Sequence, residues 1–238
     1  MLIKKLLSWL LPYTCILCGH PSHREQDLCL ACHQDLPTPK TSCNICAAIL
    51  SAENNMLICG QCLQQARPFD ATFALFDYKT PIDKLLLELK FNQKLVNARV
   101  LGELMADKIQ STWYKTRPLP NVIIPMPLHF QRLRERGYNQ AMELARPIVK
   151  RCRIPVNIHA CQRIKPTAPQ ATLTAKERET NVKQAFTTNK RWDNDHIAVI
   201  DDVITTGNTM REFCHLLKAN GAKRIDVWCC ARPIHRDD

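Results

Sequence analysis

The stretch "VIDDVITTGNTM", residues 199–210, places two adjacent carboxylates between an apolar run and a turn of threonine, glycine and asparagine. The apolar run predicts a buried strand, and apolar residues at helical spacing from 209 to 219 predict a helix after the turn. In a parallel sheet, this order puts the N-terminus of a helix at the carboxyl end of a strand, where backbone N–H groups bind anions. The predicted phosphate-binding residues are Thr205, Thr206, Gly207, Asn208 and Thr209.

The two carboxylates repel phosphate, so the other end of the ligand must offer them uncharged hydroxyl groups. A sugar phosphate meets both demands if its ribose 2′ and 3′ hydroxyls bind Asp201 and Asp202. Magnesium is a further candidate here, because it prefers oxygen ligands. The sequence contains neither a G-K-[ST] phosphate loop nor G-x-G-x-x-G, which argues against the Walker A and dinucleotide-binding classes.

Apolar runs and helical patterns alternate along residues 67–238, which predicts an α/β domain with a parallel sheet flanked by helices. Asn139 is the predicted N-cap of one helix, and Gly221 is the predicted stop of the helix over 209–219. The predicted strands lie at 73–78, 121–127, 154–161, 196–200 and 224–231.

Eight of the 13 cysteines lie before residue 63, in four C-x-x-C pairs. Two such pairs complete the tetrahedral four-thiolate site that zinc prefers, so residues 13–66 are predicted to be a zinc-ribbon module with one or two ions. Sequential pairing and a cross-braced pairing are both open. "CLACH" at 29–33 also matches a haem attachment motif, and an iron–sulfur cluster would use the same thiolates, but the regular pairs favour zinc. The predicted ligands are Cys15, Cys18, Cys29, Cys32, Cys43, Cys46, Cys59 and Cys62.

The chain has 238 residues and a formal net charge of +11, and the whole basic excess lies beyond residue 70. Such a domain favours an anionic partner: phosphates, nucleic acid or an acidic membrane. The odd number of cysteines indicates a reducing cytosol. Residues 1–12 predict an amphipathic helix packed on the protein, with binding to a membrane surface as the alternative. No apolar run is long enough to span a bilayer, so the predicted location is cytoplasmic, or peripheral at the inner membrane.

Two basic segments are candidates for binding phosphate. "HFQRLRERGYNQ", residues 129–140, follows a predicted strand end with Arg132, Arg134 and Arg136, whose planar guanidinium groups suit phosphate oxygens. Residues 164–181 are polar and contain Lys165 and Arg178. A solvated basic loop is the alternative for the first segment. Lys90 is interpreted as a charge at a helix end, with a position facing the site as the alternative.

Four apolar residues, two acids and T-T-G-x-T closely resemble the phosphoribosyl pyrophosphate (PRPP) motif of type I phosphoribosyltransferases. The cysteine pairs, "IPMPLHFQRLRERGYNQ", "TAPQATLTAKERETNVKQAF" and this motif follow one another in an order that resembles the ComF family of competence proteins and the related GntX-type proteins. The resemblance covers nearly the whole chain. It implies a type I phosphoribosyltransferase-like domain over 67–238 behind the zinc ribbons.

The resemblance also implies residue roles. Asp201 and Asp202 would bind the ribose hydroxyls, residues 205–209 would surround the 5′-phosphate, and magnesium would accompany PRPP. The arginine loop would receive pyrophosphate, and residues 165–181 would take the place of the flexible lid that closes over PRPP.

Two functions are open. A ComF-like protein would handle incoming single-stranded DNA in the cytoplasm during natural transformation, with a competence helicase or the inner-membrane DNA channel as partner. The alternative is an active phosphoribosyltransferase for nucleotide salvage or for the use of DNA as nutrient. That enzyme needs a hood that recognises the acceptor base, and the zinc module would have to provide it, because only "RPIHRDD" follows the last predicted strand.

Overall fold

The computed structural model describes residues 12–50, 57–166, 182–193 and 195–233. Nearly all of the predicted N-terminal helix, residues 1–11, and residues 167–181 of the predicted lid, with Arg178, lie outside these ranges. None of the helices within them is long and apolar enough to cross a membrane.

Four parallel strands form the main sheet in the order β1-β6-β5-β2. The two central strands are almost completely buried, because helices or ribbons cover both faces of the sheet. Continuous apolar runs such as "HIAVI" therefore suit these positions. The strands are β1 (Ala71–Asp77), β2 (Val122–Pro125), β5 (His196–Val203) and β6 (Arg224–Arg232).

Helices pack on both faces of this sheet, as the predicted fold class requires. On one face, the larger group of buried apolar side chains joins α3 (Ile82–Phe91), α4 (Leu95–Lys108) and α6 (Gln140–Cys152). On the other face lies α7 (Asn208–Ala219). Gly102 in α4 lies so close to α6 that a Cβ atom there would overlap the carbonyl oxygen of Leu144. The helices are α1 (Leu30–Gln34), α2 (Gly60–Gln64), α3 (Ile82–Phe91), α4 (Leu95–Lys108), α5 (Phe130–Arg136), α6 (Gln140–Cys152) and α7 (Asn208–Ala219), and a π-helical turn (Ile109–Trp113) follows α4.

The predicted helix boundaries are confirmed where capping residues were identified. Asn139 caps α6 by accepting hydrogen bonds from the backbone N–H groups of Ala141 and Met142. Gly221 follows the end of α7 with φ 97°, a left-handed conformation that glycine adopts without strain. The buried face of α7 is the predicted one: Met210, Phe213, Cys214 and Leu217.

The predicted strand over 154–161 is wrong. Only Val156 bridges the sheet, beside Ile123. The side-chain oxygen of Asn157 then accepts hydrogen bonds from the N–H groups of His159 and Ala160, which turns the chain away. A regular strand begins only at Cys161, the last residue of the predicted strand. It forms an antiparallel hairpin from β3 (Cys161–Arg163) and β4 (Phe186–Thr188).

A buried polar cluster lies at the amino end of β5 and β6. The Asp226 carboxylate is fully buried and accepts a 2.6 Å hydrogen bond from the Tyr114 hydroxyl. It also accepts from Arg224 Nε at 3.0 Å and lies 2.8 Å from His196 Nε2. The Trp228 indole donates to the same Tyr114 oxygen. Every oxygen of this buried acid is therefore paired.

The two cysteine-rich ribbons repeat one local design. Each first C-x-x-C pair lies in a small antiparallel turn, closed by bridges between Thr14 and Pro21 or between Ser42 and Ile49. Each second pair begins a short helix, α1 or α2. The first ribbon packs against the face of α3 and α4, and the second packs against the face of α7. The ribbons thus lie on opposite faces of the main sheet.

Candidate functional site

The eight N-terminal cysteines form two separate four-sulfur sites, and within each site all sulfurs lie within 4.8 Å of one another. Pairs one and two make the first site, and pairs three and four make the second. The sequential pairing is therefore confirmed, and the cross-braced alternative is wrong. The sites are Cys15, Cys18, Cys29 and Cys32, and Cys43, Cys46, Cys59 and Cys62.

The geometry of both sites fits zinc. A tetrahedral ion with Zn–S bonds near 2.3 Å separates its sulfurs by about 3.8 Å. The Cys18 and Cys29 sulfurs are 3.8 Å apart, and the Cys46 and Cys59 sulfurs are 3.6 Å apart. The Cys59 backbone N–H also points at the Cys43 sulfur, at 3.3 Å, which stabilises a thiolate. "CLACH" is thus half of a four-cysteine site.

The two acids of the opening stretch lie at the carboxyl edge of the main sheet, in a cavity of about 470 Å³. We call it the main cavity. Strand β5 continues through both acids to Val203. The Asp202 residue is only 3% exposed, and its backbone N–H donates to Asp201 Oδ1 at 2.9 Å. The predicted pair of carboxylates therefore faces one cavity from the end of a central strand.

The predicted phosphate turn borders the same cavity. Gly207 precedes α7 with φ 78°, and Arg232 holds the turn by donating to the carbonyl oxygens of Ile204 and Thr205 at 2.9 and 3.0 Å. Thr206 is the exception, because it lines a smaller neighbouring cavity that the second ribbon borders. The turn residues that line the main cavity are Thr205, Gly207, Asn208 and Thr209.

Of the predicted basic residues, the structure brings Arg132 and Arg136 to the main cavity. They lie four positions apart on α5 and therefore share one side of it. Arg134 is exposed and does not line this cavity. The Lys165 ammonium donates to the Lys183 carbonyl oxygen at 2.9 Å, away from the carboxylates. Of the four predicted basic residues that the structure describes, two therefore line the main cavity and two lie elsewhere.

Two cationic residues of the main cavity were not among the predicted site residues. Lys90, in the last turn of α3, places its ammonium 2.5 Å from Asp202 Oδ2, so the alternative of a position facing the site is confirmed. Arg163 lines the cavity from the end of β3, and its guanidinium lies 5.5 Å from the Phe186 ring centroid. The only sequence signal for Arg163 was its place just before the polar segment.

The paired charges shift the titration of this cavity. Burial and the neighbouring Asp202 carboxylate raise the pKa of Asp201 to about 8. Burial lowers the pKa of Lys90, but the adjacent Asp202 carboxylate outweighs that effect and holds the pKa above its ordinary value. The cavity therefore places an ammonium whose pKa is raised beside the Asp201 carboxyl, whose pKa is also raised.

The residues present do not fit a magnesium ion on Asp202. Carboxylate oxygens are suitable ligands, but magnesium demands a nearly ideal octahedron. The Lys90 ammonium already contacts the Asp202 oxygen that would enter such a shell. Two cations on one carboxylate repel each other.

Among the described residues, no residue of the zinc-ribbon module, 13–66, lines the main cavity. Cys46 and Gln61 of the second ribbon line only the smaller cavity of about 210 Å³ behind the phosphate turn. The part of the ribbons that the structure describes, residues 13–50 and 57–66, therefore forms no hood over the carboxylates.

Comparison with known proteins agrees with both parts of the chain. Residues 6–68 match the double zinc ribbon domain family, and residues 136–237 match the phosphoribosyl transferase domain family. The chain is 33% identical to DNA utilization protein YhgH of Escherichia coli (strain K12), over 94% of this chain and 98% of that protein. It is 32% identical to Competence protein F of Haemophilus influenzae, over 92% and 97%.

Among solved structures, adenine phosphoribosyltransferase from Leishmania tarentolae is similar with a TM-score of 0.38 and 16% identity, over 65% of this chain and 74% of that chain. This similarity is weak, whereas the sequence relatives extend over nearly the whole chain. With its double zinc ribbon and its domain of type I phosphoribosyltransferase fold, this chain belongs to the ComF family, together with DNA utilization protein YhgH and Competence protein F.

Proposed function

We propose that this protein handles single-stranded DNA in the cytoplasm and binds a 5′-phosphoribosyl ligand such as PRPP in its main cavity. The ligand is proposed because Asp201, Asp202 and the turn before α7 line the same cavity. The turn suits the 5′-phosphate. The acids suit the ribose hydroxyls. Arg132 and Arg136 suit a second phosphate group.

The carboxylates favour a monomeric ribose over a DNA strand. Inside a DNA strand the sugar has no 2′ hydroxyl, and its 3′ oxygen is esterified to a phosphate. Asp201 and Asp202 would find no hydroxyl donor there and would repel the phosphodiester. We therefore assign the main cavity to the small ligand and DNA to another surface.

That surface is the side of α5 that does not line the main cavity; α5 has no buried residue. Phe130 is 60% exposed and Leu133 is 42% exposed, although both are large and apolar. Arg134 is exposed on the same helix. We call Phe130, Leu133 and Arg134 the α5 surface. Exposed aromatic rings that stack on bases, with arginines for phosphates, are typical of single-strand binding.

The names of the relatives favour a role in taking up or using DNA. One relative is named a DNA utilization protein and another a competence protein. The basic charge beyond residue 70 supports contact with nucleic acid. We infer that incoming single strands in natural transformation are the substrate, with a competence helicase or the inner-membrane channel as the protein partner.

The ligand assignment predicts that Asp202→Asn weakens PRPP binding about tenfold or more, because the amide loses the charge that accepts the ribose hydroxyls. Titration calorimetry measures this change. Asp83→Asn, which changes an acid on α3 that does not line the main cavity, is the matched control and should bind like the native protein. Equal affinity in native protein and Asp202→Asn would remove the assignment.

Phosphoribosyl transfer is the second candidate, because Arg132 and Arg136 beside the proposed ribose position suit a pyrophosphate leaving group. Release of pyrophosphate from PRPP in the presence of a nucleobase would establish it. Binding without any release would leave the cavity as a ligand sensor on a DNA-handling protein.

The DNA assignment predicts that Phe130→Ala weakens binding of a labelled oligothymidylate about fivefold or more, since a stacked base is lost. Arg134→Ala should lower the slope of log affinity against log salt by about 0.7, the value for one phosphate contact on a single strand. Fluorescence anisotropy over a salt series measures both. Arg191→Ala, at a side chain 80% exposed elsewhere, is the control. If neither variant differs from the control, the α5 surface is not the DNA site.

A further inference from the structure

Lys90 places a positive charge directly at the carboxylate pair of the main cavity. Its ammonium lies 2.5 Å from Asp202 Oδ2, and the side chain borders the main cavity. The same ammonium also acts electrostatically on Asp201, whose pKa it lowers against the effect of burial. One positive charge therefore interacts with both acids.

The fold holds Lys90 in this position. Helix α3 is anchored by the completely buried Leu86 and Leu89 and ends one residue after Lys90. The Tyr138 hydroxyl donates to the Leu89 carbonyl oxygen, and Asn97 donates to the Leu85 carbonyl oxygen at 2.9 Å. Carbonyl groups at a helix C-terminus also favour a cation there.

The cavity is already positively charged without a metal. Its lining contains four cationic side chains against the two acids. A polyphosphate ligand therefore meets net positive charge as soon as it enters, even without a divalent cation. The four cations are Lys90, Arg132, Arg136 and Arg163.

We propose that Lys90 replaces the divalent cation at the carboxylate pair, so that the main cavity binds 5-phosphoribosyl 1-pyrophosphate without magnesium. This inference rests on the proposed function and specifies how that site recognises its ligand. The ammonium holds the Asp202 carboxylate in place, 2.5 Å away, beside the position proposed for the ribose hydroxyls. It also faces the cavity into which the ligand's pyrophosphate would extend.

The test measures PRPP affinity by calorimetry in buffer stripped of magnesium, and again with magnesium in excess. No chelator is added, because it would take zinc from the ribbons. Native protein should bind with an affinity that changes less than about threefold between the two buffers. Lys90→Met should bind about tenfold more weakly without magnesium and recover most of that loss when magnesium is added, since the ion can then reach the freed carboxylate.

Lys84→Met is the matched control, because Lys84 is an exposed lysine on the same helix. It should behave like the native protein. Zinc content and thermal unfolding verify that each variant is folded. If Lys90→Met does not fold, Lys90→Gln, which keeps a hydrogen-bond donor but no charge, should give the same loss and recovery.

Three results would overturn the inference. The first is that the native protein binds PRPP only with magnesium. The second is that the Lys90 variants bind PRPP as tightly as the native protein in stripped buffer. Native protein that binds PRPP in neither buffer would instead refute the proposed ligand, and this inference with it. The two failures are therefore distinct.

Discussion

Replacing Cys43 and Cys46 by serine is expected to reduce the zinc content from two ions per chain to one and to unfold the second ribbon. A structural zinc site contributes on the order of 10 kcal/mol of apparent binding free energy, comparable with the stability of a whole domain. The sulfurs of this site belong to the buried cluster that covers the α7 face of the sheet. Its loss should therefore expose that face, including the helix that begins at the proposed phosphate turn.

Metal analysis gives the zinc count, and hydrogen exchange shows which face becomes unprotected. The pair Cys15→Ser and Cys18→Ser should expose the opposite face, around α3 and α4, because the first ribbon packs there. Cys214→Ser, at a buried cysteine outside both metal sites, is the control and should retain two ions. Two ions retained in the Cys43 and Cys46 variant would contradict the assigned ligands.

Replacing Asp226 by asparagine is expected to lower the free energy of unfolding by about 1–3 kcal/mol, because the amide cannot satisfy all three groups that now pair with the buried carboxylate, Tyr114, Arg224 and His196. Urea unfolding at neutral pH measures the loss. Asp193→Asn, at a side chain 74% exposed, should change the stability by less than about 0.5 kcal/mol. PRPP affinity should not change in Asp226→Asn, since the cluster lies at the opposite edge of the sheet from the main cavity.

The effect of Asp226→Asn should also depend on pH. Burial raises the pKa of Asp226, but hydrogen bonds from His196, Tyr114 and Arg224 outweigh it and hold the pKa below its ordinary value. A lowered pKa in the folded state gives stability that is complete above the unfolded value, near 4, and is lost as the pH falls below it. The difference between native protein and Asp226→Asn should therefore shrink in acid. A constant difference would assign the loss to packing alone.

Residues that are adjacent in sequence were predictable. The acids, the turn and the cysteine pairs lie within short stretches whose spacing limits their geometry. Local patterns of this kind predicted the zinc sites, the parallel sheet and the position of the acids at the carboxyl edge of that sheet. The pairing of the cysteines did not, because both arrangements satisfy the same C-x-x-C spacing.

Contacts between distant segments were not predictable. Lys90 meets Asp202 across more than a hundred positions, and its pattern is equally typical of a helix end. Arg163 lies on a strand that begins later in the sequence than predicted, because the turn at Asn157 interrupts the predicted strand. The separation of Arg134 from Arg132 and Arg136 depends on a short helix, whereas the sequence pattern indicated one loop for all three.

The placement of the two ribbons has a consequence for solubility in the cell. Strand β1 is the last strand on its side of the sheet, and such an edge can recruit strands from other molecules into aggregates. The chain between the ribbons passes the end of β1, where the Asp77 N–H donates to the Pro37 carbonyl oxygen. The segment between the two metal-bound units thus covers the carboxyl end of this edge. A newly made chain whose ribbons lack zinc would uncover this end of the edge, so we expect more aggregation when zinc is scarce during synthesis.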